Sequence, residues 1–492
     1  MSTTEEWISK PKGLLIGGEW REAADGAVLD VYDPARGEVM TQVAAGGAAD
    51  VDAAAAAARK AFEDGPWATM TASDRGRALW RLADLIEEHA DEFAMLETLD
   101  IGKPLMVARH ADVALAIDMF RYMAGWATKI SGQTFPISVP YAPGANFVAY
   151  TVREPVGVVG QIIPWNFPLL MASWKLGPAL AAGNTVILKP AEQTPLSAIR
   201  LGELLPEAGF PDGVVNVVNG YGESAGAAIA AHPGIDKVAF TGSTEVGRSI
   251  MNAAAGNMKK LTLELGGKSP NIVFADADVE SAVAGAANAI FLNQGEVCAA
   301  GSRLYVEQPI YEKVLAGIAA AAEGMKVGPG VEPDTEMGPL VSKEHRERVE
   351  SYLALGESEG ARRVTGGERL DGPGYFLQPS VLADVRNDMR VVQEEIFGPV
   401  LVAQPFDDPD EVAALANDTP YGLAAAVWTT DLAKAHRMTQ RIKAGTVWVN
   451  TYNIYDAALP FGGYKQSGWG REMGEDVLSH YTETKSICIG GL

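Results

Sequence analysis

Cys298 is flanked by Gly295, Ala299 and Ala300, neighbours too small to shield a thiol, and it stands 34 residues downstream of Glu264. A thiolate is the strongest ordinary side-chain nucleophile. A carboxylate that can take a proton from water is what a covalent intermediate needs for its release. The two residues together point to covalent catalysis at sulfur. Free cysteine is also a common inert core residue, so the thiol earns a catalytic reading only through its company. The chain has one other cysteine, Cys488, in Ser486-Ile487-Cys488-Ile489, which reads as one position on an apolar C-terminal strand.

Phosphate chemistry has a candidate in Phe240-Thr241-Gly242-Ser243-Thr244-Glu245-Val246-Gly247, which reads as strand, turn and helix start. A helix beginning there offers free N–H groups and a positive dipole end, Gly242 permits close approach, and Ser243 can cap the helix or donate to a phosphate oxygen. Tight-turn punctuation is the other reading of these glycines. Glu192, just past Lys189-Pro190, stands where an acid can accept hydrogen bonds from ribose hydroxyls and repel a 2′-phosphate, which favours NAD over NADP; a solvated loop carboxylate is the alternative. Gly267-Lys268-Ser269 lacks the first glycine of a P-loop, and Gly220, Gly222 and Gly226 are one residue too long for Gly-x-Gly-x-x-Gly. Gly222-Glu223-Ser224-Ala225-Gly226 does match the Gly-x-Ser-x-Gly elbow of serine hydrolases, with histidines downstream at 232, 345, 436 and 480. Ser224 is therefore a competing nucleophile. None of the six histidines falls at His-x-x-x-His spacing, and no metal site is expected.

These residues need elements to position them. A helix is predicted over about 50–62, and another from a cap at Ser73, with Leu79, Leu82, Ile86 and Phe93 on one face, stopping before Gly102-Lys103-Pro104. From about residue 156 short β-branched runs alternate with helical stretches, at 185–190, 213–220 and 237–242, a pattern of parallel βαβ units. A second α/β region follows Gly267, with strands predicted at 271–274, 303–306 and 446–450. The 19 uncharged residues from Val156 to Trp174 contain Gly157, Gly160, Gln161, Pro164, Asn166 and Pro168, so they read as buried strand, loop and helix start, with no membrane span.

At 492 residues and 47% hydrophobic, the chain has enough apolar material for two or three domains. Its net charge of -23 argues against nucleic acid as a partner. Two cysteines make no disulfide framework, and the acidic N-terminus has no apolar signal-type run, so a cytoplasmic location is expected.

Seven segments in order carry a family resemblance: Pro164-Trp165-Asn166-Phe167-Pro168, Lys189-Pro190-Ala191-Glu192-Gln193-Thr194-Pro195, Phe240-Thr241-Gly242-Ser243-Thr244, Glu264-Leu265-Gly266-Gly267-Lys268-Ser269-Pro270, Asn293 to Arg303 around Cys298, Glu394-Glu395-Ile396-Phe397-Gly398-Pro399, and Pro460 to Gly468. Nearly the whole chain resembles the NAD(P)-dependent aldehyde dehydrogenase superfamily. The resemblance implies that Cys298 attacks an aldehyde carbonyl, that Asn166 and the Cys298 N–H hold the resulting oxyanion, and that Glu264 activates water to hydrolyse the thioester. Lys175 and Glu472 match a proton path behind that base.

For the cofactor, NAD with NADP less favoured, the resemblance implies Lys189 and Glu192 at the adenosine ribose and Gly242 and Ser243 at the pyrophosphate. Glu395 would hold the nicotinamide ribose beside Phe397, and Trp165 would line the crevice. Phe167, Met171, Trp174, Val297, Tyr455 and Phe461 match a largely apolar substrate tunnel, which implies aliphatic or aromatic aldehydes. Asn453, Asp456 and Glu296 add polarity nearby and keep a betaine-type cationic aldehyde as an alternative. The presence of Glu264 as a water-activating base argues against a CoA-acylating enzyme, and in this frame Ser224 falls in a cofactor-domain turn.

The implied fold is α/β: a Rossmann-type NAD-binding domain over 1–134 and 156–266, an α/β catalytic domain over 267–470, and a β-strand oligomerisation arm over 135–155 and 471–492. An arm of that kind implies a homodimer or homotetramer.

Overall fold

The computed structural model describes residues 3–490; Met1, Ser2, Gly491 and Leu492, at the outer ends of the expected divisions, lie outside the described residues. The apolar runs Val158–Ile162, Thr185–Lys189, Val215–Val217, Lys237–Thr241 and Lys260–Glu264 form parallel strands, nearly all of them buried. Strands without polar alternation need cover on both faces, which the intervening helices supply. Leu14–Ile16 and Glu19–Arg21 extend one edge antiparallel, and Gly468–Trp469 pairs with Lys260–Glu264 at the other. Gly468–Trp469 therefore belongs to this first sheet, although the expected division put it in the catalytic domain.

Strand order sets the ligand crevice. The chain runs outward from Val158–Ile162 through Thr185–Lys189 to Val215–Val217, then returns to place Lys237–Thr241 on the other side of Val158–Ile162. The crevice of an open α/β sheet opens at the carboxyl ends of the strands flanking such a reversal. Here those ends lead into residues 163–167 on one side and Gly242-Ser243 on the other.

A second sheet holds Pro270–Val273, Arg303–Glu307, Arg362–Thr365, Ser380–Ala383, Val400–Phe406, Ala424–Trp428 and Thr446–Val449, with Pro270–Val273 and Arg303–Glu307 adjacent near its centre. Glu264 ends a strand of the first sheet, and Cys298 lies five residues before the strand Arg303–Glu307 of the second. A third sheet of Thr134–Phe135, Phe147–Pro155 and Thr482–Gly490 is largely exposed, with a continuous ladder from Thr482 opposite Pro155 to Gly490 opposite Phe147.

Several elements differ from the sequence expectation. The first helix is Ala48–Glu63. The helix expected to start at Ser73 is two helices, Ala72–Glu88 and Ala90–Ile101, interrupted at His89 (φ -107°, ψ 20°), and Phe93 belongs to the second. Thr71 is the cap because its hydroxyl accepts the Asp74 N–H at 3.2 Å, whereas the Ser73 hydroxyl accepts from Arg77. The strand expected over 213–220 is only Val215–Val217. Between Val156 and Trp174 the chain forms the strand Val158–Ile162 and the start of the helix Pro168–Ala182, whose proline occupies the first turn, where its missing N–H costs nothing. No helix among the described residues is long and apolar enough to cross a membrane.

Candidate active site

The loop that carries Cys298 is kinked by backbone strain. After the helix Val279–Phe291, Asn293, Gln294 and Gly295 take positive φ values of 50°, 58° and 71° in succession. For two of them, non-glycine residues, this conformation costs about 1–3 kcal/mol each. Gly295 packs so closely on the Gly398 carbonyl that a Cβ would lie 2.3 Å from it. Just beyond this kink, Cys298 faces a cavity of about 260 Å³ that Asn166 and Glu264 also line.

Asn166 is tied to that loop. Its Nδ2 donates to the Glu296 carbonyl at 2.9 Å, and its own carbonyl accepts from Lys103 Nζ at 2.9 Å and from Asn293 Nδ2 at 3.1 Å. Lys103, fully buried, also pairs with Asp112 and lies 4.3 Å from the centroid of the Phe167 ring. Neither Lys103 nor Asp112 was among the expected site residues.

Glu264 has no hydrogen-bond partner for either carboxylate oxygen among the described residues. Burial, reinforced by the charge of Glu472, raises its pKa well above the usual carboxylate range, against the opposing pull of Lys175 and Arg471. Lys175 and Glu472 form a buried ion pair at 2.6 Å behind it. Reciprocal backbone hydrogen bonds between Glu472 and Phe461, at 2.8 and 2.9 Å, place that carboxylate next to the tunnel wall.

Burial, then the charges of Glu395 and Glu264, push the Cys298 thiol up to about 12. Below that value the thiolate fraction grows with pH. In ligand-free protein, alkylation of Cys298 by iodoacetamide should therefore accelerate about ten-fold per pH unit between roughly pH 7 and 10. Peptide mass spectrometry separates it from Cys488, which is exposed rather than in the apolar setting its sequence indicated. A rate that levels off by about pH 8 would contradict this environment.

All six expected tunnel residues, Phe167, Met171, Trp174, Val297, Tyr455 and Phe461, line the same cavity. Trp174, Tyr455 and Phe461 pack as an aromatic cluster with centroids 5.4–6.3 Å apart. Val107, Ala111, Asp112 and Leu115 complete the wall from the wide helical turn Ala108–Asp112 and its flanks. Nothing in the sequence marks that turn, because it depends on how the helix packs. Asn453 lines the cavity, whereas Glu296 accepts the Val341 N–H at 3.0 Å and Asp456 caps Ala458 at 2.8 Å, and neither is part of the lining.

The same cavity also gathers Trp165, Gly242, Ser243, Glu395 and Phe397. A Cβ at Gly242 would lie 2.5 Å from the tip of the Phe240 ring, so any larger residue would have to displace that ring. The Ser243 hydroxyl accepts the Val246 N–H at 3.2 Å and caps the helix Thr244–Ala254. Glu395 accepts the Gly267 N–H at 2.8 Å, and burial holds its carboxyl at about 7. Phe397, at φ 62°, meets Trp165 edge-on at 5.2 Å. Its carbonyl lies 2.6 Å from His345 Nε2, a ring that burial pushes down to about 4 and that sequence reasoning had considered only as a hydrolase histidine. Lys189 and Glu192 pair at 3.2 Å beyond the next strand end, outside the cavity lining. A capped helix N-terminus preceded by a glycine, with an acid and an aromatic pair in the same cavity, fits a dinucleotide.

Ser224 is not part of any such arrangement. It is exposed on the wide turn Gly222–Gly226, its hydroxyl donates to the Tyr221 carbonyl at 3.3 Å, and the nearby His232 is engaged by Asp52 at 3.1 Å and by the Gly234 N–H. No serine-histidine contact forms there among the described residues, which corrects the hydrolase alternative.

The profile described as aldehyde dehydrogenase family matches residues 20–487. The chain belongs to the aldehyde dehydrogenase family. Members of this aldehyde dehydrogenase family oxidise aldehydes to carboxylic acids, and this enzyme's chain is 51% identical to phenylacetaldehyde dehydrogenase of Pseudomonas fluorescens, over 97% of this chain and 96% of that one. The structure of an aldehyde dehydrogenase from Bacillus cereus in complex with NAD+ superimposes with a TM-score of 0.97 at 52% identity, covering 100% of this chain and 99% of the other. Betaine aldehyde dehydrogenase from Staphylococcus aureus in complex with NAD+ matches with a TM-score of 0.96 at 43% identity over 99% and 97%.

Proposed function

We propose that this aldehyde dehydrogenase acts on aliphatic or aromatic aldehydes, with Cys298 as nucleophile, Glu264 as general base and NAD in preference to NADP. The observation that carries the reading is the one cavity lined by Cys298, Asn166 and Glu264 together with an apolar aromatic cluster and the residues of a dinucleotide-type crevice.

Cys298 Sγ attacks the aldehyde carbon, and the carbonyl oxygen takes up the charge. Asn166 Nδ2 and the Cys298 N–H are the donors for that oxyanion, each worth ~2.7–4 kcal/mol of barrier when pre-aimed. NAD, when bound, supplies the hydride acceptor that converts the thiohemiacetal to a thioester. Glu264 draws a proton from water, the water oxygen bonds the acyl carbon, and the carboxylic acid leaves as the Cys298 thiolate is regenerated. A carboxylate with a raised pKa is the stronger base for this step. Lys175 and Glu472 carry the proton onward.

Trp165, Gly242, Ser243, Glu395 and Phe397 would hold NAD, with Lys189 and Glu192 at its adenosine ribose. Phe167, Met171, Trp174, Val297, Tyr455 and Phe461 would hold the organic part of the aldehyde. The acids once considered for a cationic substrate, Glu296 and Asp456, are engaged elsewhere, which favours a neutral substrate over a betaine-type one. The similarity to phenylacetaldehyde dehydrogenase supports the same preference. Reduced-cofactor formation with acetaldehyde, hexanal, benzaldehyde, phenylacetaldehyde and betaine aldehyde tests it; fastest turnover with betaine aldehyde would reverse the assignment.

Glu192→Gln removes the charge that would oppose a 2′-phosphate. The ratio of kcat/KM for NAD over NADP should fall about ten-fold, equivalent to ~1.4 kcal/mol. An unchanged ratio would remove Glu192 from cofactor choice.

The division into an NAD-binding domain (1–134, 156–266), a catalytic domain (267–470) and an arm (135–155, 471–492) belongs to the same reading, with Gly468–Trp469 joining the first sheet. Support for a homodimer or homotetramer comes from the arm's long exposed ladder, since an uncovered strand edge is a template for another chain.

A further inference from the structure

Behind Glu264 the first sheet carries polar side chains on a covered face that would ordinarily be apolar. Gln161, Ala239 and Thr262 lie opposite one another in the parallel ladder, so Gln161, Lys237, Thr262 and Glu264 project from the same face. The helix Pro168–Ala182 lies over that face, and its Lys175 carbonyl accepts from Gln161 Nε2 at 2.7 Å. Lys237, fully buried, donates to Thr262 Oγ1 at 2.9 Å and sits 4.9 Å from the centroid of the Tyr481 ring. Both oxygens of Glu264 and Glu472 Oε2 have no hydrogen-bond partner among the described residues, and the Tyr481 hydroxyl interacts with the Gln161 side chain beside them. Buried polar groups grouped in this way are satisfied by water in folded proteins.

We propose that this seam continues the proton route past the Lys175–Glu472 pair, with Tyr481 and Lys237 carrying the proton from Glu472 toward the surface beside His480. The proposal rests on the reading of Glu264 as the base that activates water. As the water oxygen bonds the acyl carbon and the C–S bond breaks, the O–H proton lands on Glu264. It passes through water to Glu472, then by way of the Tyr481 hydroxyl to the Lys237 amine, which becomes an ammonium and releases it to solvent. No electrons leave or enter along the way.

The charged and titratable groups facing Lys237 are Glu472, Lys175, Lys260, Tyr481 and His480. Burial, partly offset by Glu472 and reinforced by Lys175 and Lys260, brings its amine down to about 7, where it can both take and give a proton near neutrality. His480, half-buried, is itself pushed down to about 4, so at neutral pH it faces Lys237 as an uncharged ring. Lys237 and Tyr481 touch no reacting atom; they are positioning residues acting through Glu472 and Glu264.

The test follows the decay of acyl-Cys298, formed from NAD and limiting aldehyde, by rapid quench and intact-mass spectrometry. Lys237→Arg keeps the charge but cannot release a proton, Lys237→Met removes both, and Tyr481→Phe removes only a hydroxyl. In all three, acyl-enzyme should form at the normal level and decay about ten-fold more slowly. The inflection of decay rate near pH 7 should vanish in the Lys237 variants, and added imidazole should restore part of the rate. Decay at the normal rate in Tyr481→Phe and Lys237→Arg overturns the proposal, and so does slowing that imidazole leaves unchanged. Glu264→Gln is the separate control: normal acyl-enzyme decay in that variant would sink the general-base reading itself.

Discussion

Cys298→Ser loses aldehyde oxidation by about ten-thousand-fold or more, the scale seen when a covalent nucleophile is removed from an otherwise intact site. The physical reason lies in the pocket. Burial and two nearby carboxylates already make ionisation of a thiol difficult there, pushing it up to about 12. An alcohol is far harder to ionise, and among the described residues the one histidine lining the pocket is His345, which is spent on the Phe397 carbonyl. Serine is nearly isosteric, so the fold and the cofactor crevice should persist, and intrinsic tryptophan fluorescence should still report NAD binding. The measurement is initial-rate reduced-cofactor formation beside that binding titration. Residual turnover above about one per cent would mean that a different group forms the covalent bond.

Glu264→Gln separates the two halves of the reaction. Acyl-enzyme should still accumulate to about one per site, because nothing in the first half requires a base at this position. Steady turnover should fall about 10²–10⁴-fold, the usual contribution of a positioned general base. The substitution also removes one of the charges that raise the Cys298 pKa. Its thiol pKa therefore falls, and alkylation of Cys298 at neutral pH should become faster than in the unaltered protein. Rapid-quench product analysis and alkylation kinetics check the two arms. A variant that neither accumulates acyl-enzyme nor slows would place the base elsewhere.

Much of this site was legible because its parts lie in short segments whose chemistry is local. Asn166 precedes a helix-starting proline, Gly242-Ser243 ends an apolar strand, and Cys298 follows small residues. Local patterns also misled. Gly-x-Ser-x-Gly around Ser224 has the spacing of a nucleophile elbow, yet the turn is exposed and its serine meets no histidine. Ser73 looked like a helix cap, and Thr71 took the role because its hydroxyl reaches the free N–H of Asp74. His345 and Lys103 were missed as site residues because each meets a partner far away in the chain, Phe397 for His345 and Asn166 for Lys103, and the contacts of Lys237 with Thr262 and Tyr481 are equally invisible in the sequence.

By itself the sequence determined the kinds of element, the alternation that makes parallel sheets, and which residues have the chemistry for a covalent reaction at sulfur. Those properties follow from side-chain periodicity and functional-group identity, which are written residue by residue. Only the tertiary structure decided that Cys298, Glu264 and Asn166 share one cavity, and that burial lifts both the thiol and the carboxyl out of their ordinary ranges. It also decided that a polar seam runs behind Glu264. Burial and proximity arise only when strands and helices distant in sequence close over one another, and desolvation then sets the protonation state of each group.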